Sequence, residues 1–425
     1  MRKCSDMPYH TGIVLRIYPS RRQKQTIAVN SGCFRAVYNK LVALNKERYN
    51  LSKGAGMVPA YTSRLAYLEE VLKTGGRSLA SRLHNIMPYL YLPDVDSQAI
   101  ANAIKNYNTA WKNYRKNPAS GVPQFHKKSY EQSYQTSAHY KTDAFEINDG
   151  NVRFEDAHHI TLPKLGRIRF KGSAKRVKAL MDRTLTRIGT ITISRDNVGC
   201  YYVSLQIASE RPFVYRLEKT GSIAGIDVNI DNFLWDSNNN VIDNPKFRRN
   251  EQEQIAKLQR SMARKRERAK KEGRPLYSCK NYQKDRIRLS KLYKRVANRA
   301  DNFRHTVAKM YVKNHDYIFA EDLKVSSLLK NHRLAMAISE CGWYDFMLKL
   351  EQKAELYDKV FAKVSPRNTT QTCSECGHVL KGDEKLTLSD REWMCPVCGA
   401  YHVRDYNAAK NIMAKGVESL GLPRV

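Results

Sequence analysis

Two pairs of cysteines, Cys373-Ser-Glu-Cys376 and Cys395-Pro-Val-Cys398, constrain this chain more tightly than any other feature. They lie within the stretch from Val360 to Ala409, and their separation matches the spacing of a structural zinc site. Zinc takes four soft ligands in a tetrahedron, and each C-x-x-C turn sets two thiolates on one side of the ion. Gly377 and Gly399 follow the knuckles directly and let the chain turn away tightly beneath the metal. One Zn²⁺ held by Cys373, Cys376, Cys395 and Cys398 is therefore expected. Directly after the second knuckle comes Arg404-Asp405-Tyr406-Asn407-Ala408-Ala409. A helix is expected from Asp405 to Lys415, which puts the Asp405 carboxylate near a helix start. Taken alone, an Asp in that place is a helix cap.

The charge balance narrows the partners. Lys and Arg number 74 against 41 Asp and Glu, leaving +33 on 425 residues. Such an excess repels itself in a compact state unless a polyanion is present. Nucleic acid is the natural candidate, because neutralising phosphates releases counterions. A membrane surface is the rival, but no apolar run approaches the length of a spanning helix. The opening Met-Arg-Lys-Cys-Ser-Asp-Met-Pro lacks the apolar core of a signal peptide. Of the nine cysteines, Cys4, Cys33, Cys200, Cys279 and Cys341 are scattered without pairing logic, as in a reducing compartment. The expectation is an intracellular nucleic-acid binder with no membrane association, long enough for two or three domains.

Along the chain, Gly12–Tyr18 alternates apolar and polar residues and reads as a strand. Helical spacing follows from Ser20 to Asn50, then at Tyr61–Leu72 and Asp96–Asn117, where Trp111 reads as core packing. Gly121-Val-Pro breaks the pattern, and short strands are expected at Val152–Phe154, Ile160–Leu162, Arg167–Phe170, Arg187–Ser194 and Cys200–Ile207. Their spacing suggests a small β-barrel. Its Lys and Arg residues either hold phosphate backbones or form its solvated outer face.

From about Gly221 the character changes. Ser222–Val228 is an apolar strand carrying Asp227, and an unpaired Asp there costs several kcal/mol unless a cation or a tight hydrogen-bond set meets it. A hairpin partner at Asn232–Trp235 and Asn238–Ile242 comes next. Helices at Lys246–Glu272 and Ser278–Val312 are loaded with Arg and Lys, each with one packing face and one basic face. Tyr317–Leu323 is a second apolar strand ending in Glu321 and Asp322, followed by a helix to Asp358 and a last strand at Val360–Val364. Asp322 falls on the opposite side of its strand from Glu321.

Strand with Asp227, hairpin, helices, strand ending in Glu321, helix starting near Asp405: this order is that of an RNase H-like nuclease of the RuvC type. Gly225-Ile-Asp227, Ala320-Glu321-Asp-Leu323, the two cysteine knuckles and Arg404-Asp405-x-Asn407-Ala-Ala resemble the TnpB family, transposon-encoded RNA-guided DNA nucleases related to type V CRISPR effectors. Leu15-x-x-Tyr-Pro19, Phe34-x-x-Val-Tyr-Asn39, Pro163-Lys-Leu-Gly166 and Gly342-Trp343 extend the resemblance along essentially the whole chain.

The resemblance implies an α+β multidomain chain. Residues 1–19 and 119–220 would build a β-barrel wedge domain, with 20–118 a helical recognition insertion. Residues 221–366 and 403–425 would form the RuvC nuclease domain, with 367–402 the inserted zinc ribbon. It also implies two Mg²⁺ ions, roughly 4 Å apart, that activate water and stabilise the leaving oxygen of a phosphodiester. Magnesium prefers hard oxygen ligands; Asp227 would bridge both ions, with Glu321 and Asp405 completing one shell each. A guide RNA would choose the target by pairing with one strand of double-stranded DNA, on a single copy of the protein, in the prokaryotic cytosol or nucleoid. Tyr61, Ser97, Gln98 and Asn102 match motif-reading positions of the family, or are helix surface. The family usually carries Gly where this chain has Asn229, which would narrow the approach to the metals or add a ligand. Other readings are a guided repressor without cleavage, a CRISPR-associated type V-like effector, a zinc-ribbon transcription factor and a strand-transferring transposase.

Overall fold

The computed structural model describes residues 4–53, 59–73, 76–140, 146–387 and 389–423. The chain divides into two compact units, Met1–Phe213 and Val214–Val425. Among the described residues no helix is long and apolar enough to cross a membrane, and no cysteine forms a disulfide.

The first unit joins helices to one antiparallel sheet. Its elements run β1 (Tyr9–Ile17), α1 (Arg21–Ser52), α2 (Pro59–Lys73), α3 (Gly76–Ile86), α4 (Ser97–Lys116), β2 (Gln132–Ser137), β3 (Arg153–Phe154), β4 (His159–Leu162), β5 (Gly166–Lys171), α5 (Ala174–Met181), β6 (Thr186–Arg195) and β7 (Tyr201–Ser209). A capping box starts α1: Ser20 Oγ accepts from Gln23 N, and Gln23 Oε1 accepts from Ser20 N. The same Gln23 donates through Nε2 to the Leu165 and Arg167 carbonyls at 2.9 and 3.0 Å, fastening the helix start to β5. Ile27, Phe34, Val37, Tyr38, Leu41 and Leu44 fall on one face of α1 and are buried in the unit's core.

The sheet has seven strands in the order β2-β6-β7-β1-β5-β4-β3. Among the described residues the outermost strands of that order are β2 and β3, and an antiparallel bridge joins Tyr140, just after β2, to Gly150, just before β3. β1 joins β7 to β5, paired along its whole length with the first and at its end with the second. β2, α3 and α5 are additions to the expected elements. In β2 only Tyr134 and Thr136 are buried, so its alternation is carried by two residues among polar ones. Trp111 packs edge-on between Tyr107 and Tyr114, as the core reading has it.

The second unit contains β8 (Ile223–Val228), β9 (Asn232–Asp236), β10 (Val241–Asp243), α6 (Phe247–Asn250), α7 (Gln252–Lys271), α8 (Lys280–Asn314), β11 (Tyr317–Glu321), α9 (Val325–Leu328), α10 (Ala335–Cys341), α11 (Trp343–Tyr357), β12 (Val360–Val364), β13 (Glu392–Met394), β14 (Tyr401–Val403) and α12 (Arg404–Ser419). Its main sheet has the order β10-β9-β8-β11-β12. β8, β11 and β12 are parallel, while β9 and β10 run antiparallel.

Strand alternation separates the two faces of this sheet. Ala224, Ile226, Val228, Ile318 and Ala320 pack against α8, α10 and α11. Phe319, with Ile223 and Tyr317, packs under Ile412, Met413 and Val417 of α12. Asp227 and Glu321 share the parity of Gly225 and Phe319, so both acids project toward the α12 side. At the opposite strand ends, Asp316 takes the backbone N–H groups of Thr220 and Gly221 and pairs with the buried Lys359. That cluster fixes where all three parallel strands begin.

α12 meets the sheet closely at two glycines. A Cβ added to Gly225 would stand 2.2 Å from the Ala409 carbonyl oxygen, and one added to Gly416 would stand 2.1 Å from the Phe319 ring. Gly225→Ala is expected to force α12 outward and cost about 1–3 kcal/mol in denaturant unfolding. Gly12→Ala, where nothing lies within 4 Å, should leave the unfolding curve in place.

Candidate active site and metal centre

β8 and β11 pair in parallel, with Ile226 opposite Ala320. The next residues, Asp227 and Glu321, therefore stand side by side at the carboxyl ends of adjacent strands, where open α/β sheets bind ligands. Over Gly225 lies Ala409, and Asp405 is one turn earlier in α12. No side-chain cap starts that helix, so Asp405 is not its N-cap and its carboxylate is available for other partners.

Burial first, then the Glu321 and Asp405 charges, push the Asp227 carboxyl well above the usual carboxylate range; Arg404 opposes the shift. Burial also raises Glu321, against the Thr369 hydroxyl bonded to Oε1 and the charge of Lys415. Asp405 Oδ2 accepts from Asn229 Nδ2 at 2.9 Å, and its Oδ1 lies 3.3 Å from Arg404 Nε. Arg391 stands 3.8 Å from Asp405 and donates at 2.6 Å to Asp231. A buried carboxylate with two more beside it suits a divalent cation, whose charge favours the ionised form of Asp227. The residues present fit magnesium, a hard ion that takes carboxylate oxygens and retains water.

The knuckles are built as near copies. The Gly377 and Gly399 N–H groups each donate at 2.9 Å to the first cysteine carbonyl of their own knuckle, and both glycines adopt left-handed φ of 77° and 69°. Cys373, Cys376, Cys395 and Cys398 bring their sulfurs within 4.8 Å of one another, with edges of 3.7 Å (Cys373 to Cys398) and 3.6 Å (Cys376 to Cys395). A zinc tetrahedron with Zn–S of about 2.3 Å has edges of about 3.8 Å, so the donor set fits that ion. Among the described residues this is the one His, Cys, Asp and Glu group gathered so closely. The three carboxylates are spaced more widely.

Several contributors carry no signal in the sequence spacing. His402 Nε2 lies 3.1 Å from Cys373 Sγ, with its ring against Trp393; toward a thiolate, the ring N–H is the donor. Asn407 takes the Ser374 N–H at 2.9 Å and donates to the Thr372 carbonyl at 2.7 Å. One turn on, Asn411 donates to the Thr369 and Thr372 carbonyls. These two amides clasp the first knuckle to α12, and the i, i+4 spacing that aligns them is the only part readable in advance.

The proposed nucleic-acid residues are not alike. Tyr61 on α2 and Ser97 at the start of α4 are exposed, and Gln98 is half-buried with its N–H on the Asp96 carboxylate. Asn102 is buried and knits α4 to β2, donating to the Gln98 carbonyl at 2.9 Å and Ser137 Oγ at 3.0 Å.

Cys395→Ser is expected to take bound zinc from about one ion per chain to near zero, with a lower melting temperature, because metal binding and folding are linked. Elemental analysis of the purified chain reads this directly, and unchanged zinc content would refute the ribbon.

Three family models match the chain: "Probable transposase" over residues 204–332, "Cas12f1-like, TNB domain" over 343–412 and "Helix-turn-helix domain" over 7–54. A Streptomyces pristinaespiralis protein named "Putative RNA-guided DNA endonuclease" is 30% identical, covering 95% of this chain and 88% of its own. "Putative RNA-guided DNA endonuclease InsQ" of Escherichia coli (strain K12) is 26% identical over 94% of this chain and 91% of its own. In fold, the chain is similar to the solved mini-RNA-guided endonuclease CRISPR-Cas phi3, with a TM-score of 0.52 at 12% identity over 99% of this chain and 94% of the other. With that length of alignment at 30% identity, and with the probable-transposase model spanning the Asp227 strand, the chain belongs to the TnpB family, the OrfB proteins of IS605-type elements.

Proposed function

We propose that this chain is an RNA-guided DNA endonuclease that hydrolyses phosphodiesters at a single RuvC site. The observation that carries the reading is the meeting of Asp227 and Glu321 at adjacent parallel strand ends with Asp405 in the first turn of α12. Asp227, Glu321 and Asp405 would together hold the Mg²⁺ ions. Bound there, the ions supply Lewis acidity and an activated water for in-line displacement. The chain's own part is to hold the carboxylates: Thr369 orients Glu321, while Asn229 and Arg404 orient Asp405.

The names of the two sequence relatives support the guided part of the reading. The net charge of +33 supports it as well, since a guide RNA with its DNA target offers phosphates along a long path. α7 and α8 are the strongest candidates for that path. They are tied together by Asp285, which accepts from Ser261 and Lys265, leaving most of their Arg and Lys residues facing solvent. Specificity would then lie in base pairing and in a short flanking DNA motif read by the first unit, with Tyr61 and Ser97 the exposed candidates. A repressor that had lost cleavage is disfavoured, because Asp227, Glu321 and Asp405 all stand.

Asp227→Ala is expected to abolish cutting of a guide-matched duplex, by about 10³-fold or more, while guided binding stays within about threefold of the parent. A gel-shift and cleavage assay on the same preparation reads both. Loss of binding together with cutting would make Asp227 a structural residue.

A further inference from the structure

Asn229 stands two residues beyond Asp227, where the family resemblance leads one to expect glycine. We propose that Asn229 is a positioning residue for Asp405, holding the carboxylate in the orientation that receives a divalent cation. The inference rests on the nuclease reading of the site and assigns a role that the three acids alone do not supply.

The geometry fixes which end of the side chain does what. Asn232 N donates to Asn229 Oδ1 at 2.7 Å, and a backbone N–H can only donate, so the carbonyl end faces the β8–β9 turn. The NH₂ end thereby faces Asp405 Oδ2, at 2.9 Å. The backbone of Asn229 is itself held, because Val228 immediately before it pairs with Leu234. Arg404 Nε approaches the other oxygen, Oδ1, at 3.3 Å from the same helix. Asp405 thus accepts one of these hydrogen bonds at each oxygen, with Arg391 a further 3.8 Å from Oδ2, and each oxygen keeps a lone pair for a cation. Such outer hydrogen bonds set the direction of a ligating carboxylate. The turn does not depend on Asn229 alone, since Arg391 separately ties Asp231 to the zinc ribbon at 2.6 Å.

The test uses the full chain with its copurified RNA, as parent, Asn229→Ala and Asn229→Gly. Mn²⁺ uptake is followed by the electron paramagnetic resonance of the free ion, and cleavage of a matched duplex is followed against Mg²⁺ concentration. Both midpoints are expected to rise about 10-fold or more. The rate at saturating Mg²⁺ should fall far less, and melting without divalent cation should not move. In an Asp405→Asn background, Asn229→Ala should add no further shift in Mn²⁺ uptake. Unshifted midpoints in a parent that takes up Mn²⁺ and cuts would overturn the role of Asn229 alone. So would a lowered melting temperature with cation response intact, or an equal further loss in the Asp405→Asn background. A parent that neither takes up Mn²⁺ nor cuts would overturn the nuclease reading together with this one.

Discussion

The direct seating of α12 on the sheet is the constraint from which the second unit follows. Gly225 lets the Ala409 carbonyl come down onto the strand backbone, and Gly416 lets the Phe319 ring lie against the helix backbone, approaches that a Cβ at either position would block. Because the helix is that close, its first turn reaches over the strand ends, and Asp405 falls within electrostatic range of Asp227. Ala408 and Ala409, both buried, belong to the same requirement for small residues. The Asp316–Lys359 cluster completes the frame from the far end, setting the starting points of β8, β11 and β12 and so the level at which Asp227 and Glu321 emerge.

A site assembled this way stores an electrostatic conflict. Burial and like charge work against ionisation of Asp227, and Arg404 offsets only part of it; at Glu321 burial is opposed by Thr369 and Lys415. A small, highly charged ion would resolve the conflict, and such an ion also suits phosphodiester hydrolysis. The same chain carries a large positive excess elsewhere. Long-range attraction for a polyanion and the like charge around Asp227 therefore act over different distances, and the first favours the approach of nucleic acid to a carboxylate site.

Much of this was legible beforehand, for identifiable reasons. The knuckles are local: C-x-x-C spacing and the following glycines dictate the turn without help from the rest of the fold. A lone acid inside the apolar run of β8 singled out Asp227, and parity separated Glu321 from Asp322. What spacing could not supply was partnership across distance. His402 against Cys373, Thr369 against Glu321 and Asn229 against Asp405 join residues far apart in the chain or without a local pattern. Asn229 illustrates the point: the sequence left it as an obstruction or a ligand, and its contacts make it a donor to a neighbouring acid. β2 escaped notice because its strand character rests on Tyr134 and Thr136 alone.

The clasp formed by Asn407 and Asn411 has a further consequence. The segment it grips, residues 369–374, also carries the hydroxyl that engages Glu321. A single loop is thereby in touch with the helix of one acid and the side chain of another, while its far end is a cysteine knuckle. Chimeras that exchange ribbons between relatives would have to transplant positions 369, 407 and 411 as a set. A ribbon moved without them would arrive intact but would no longer be registered to the acids it accompanies.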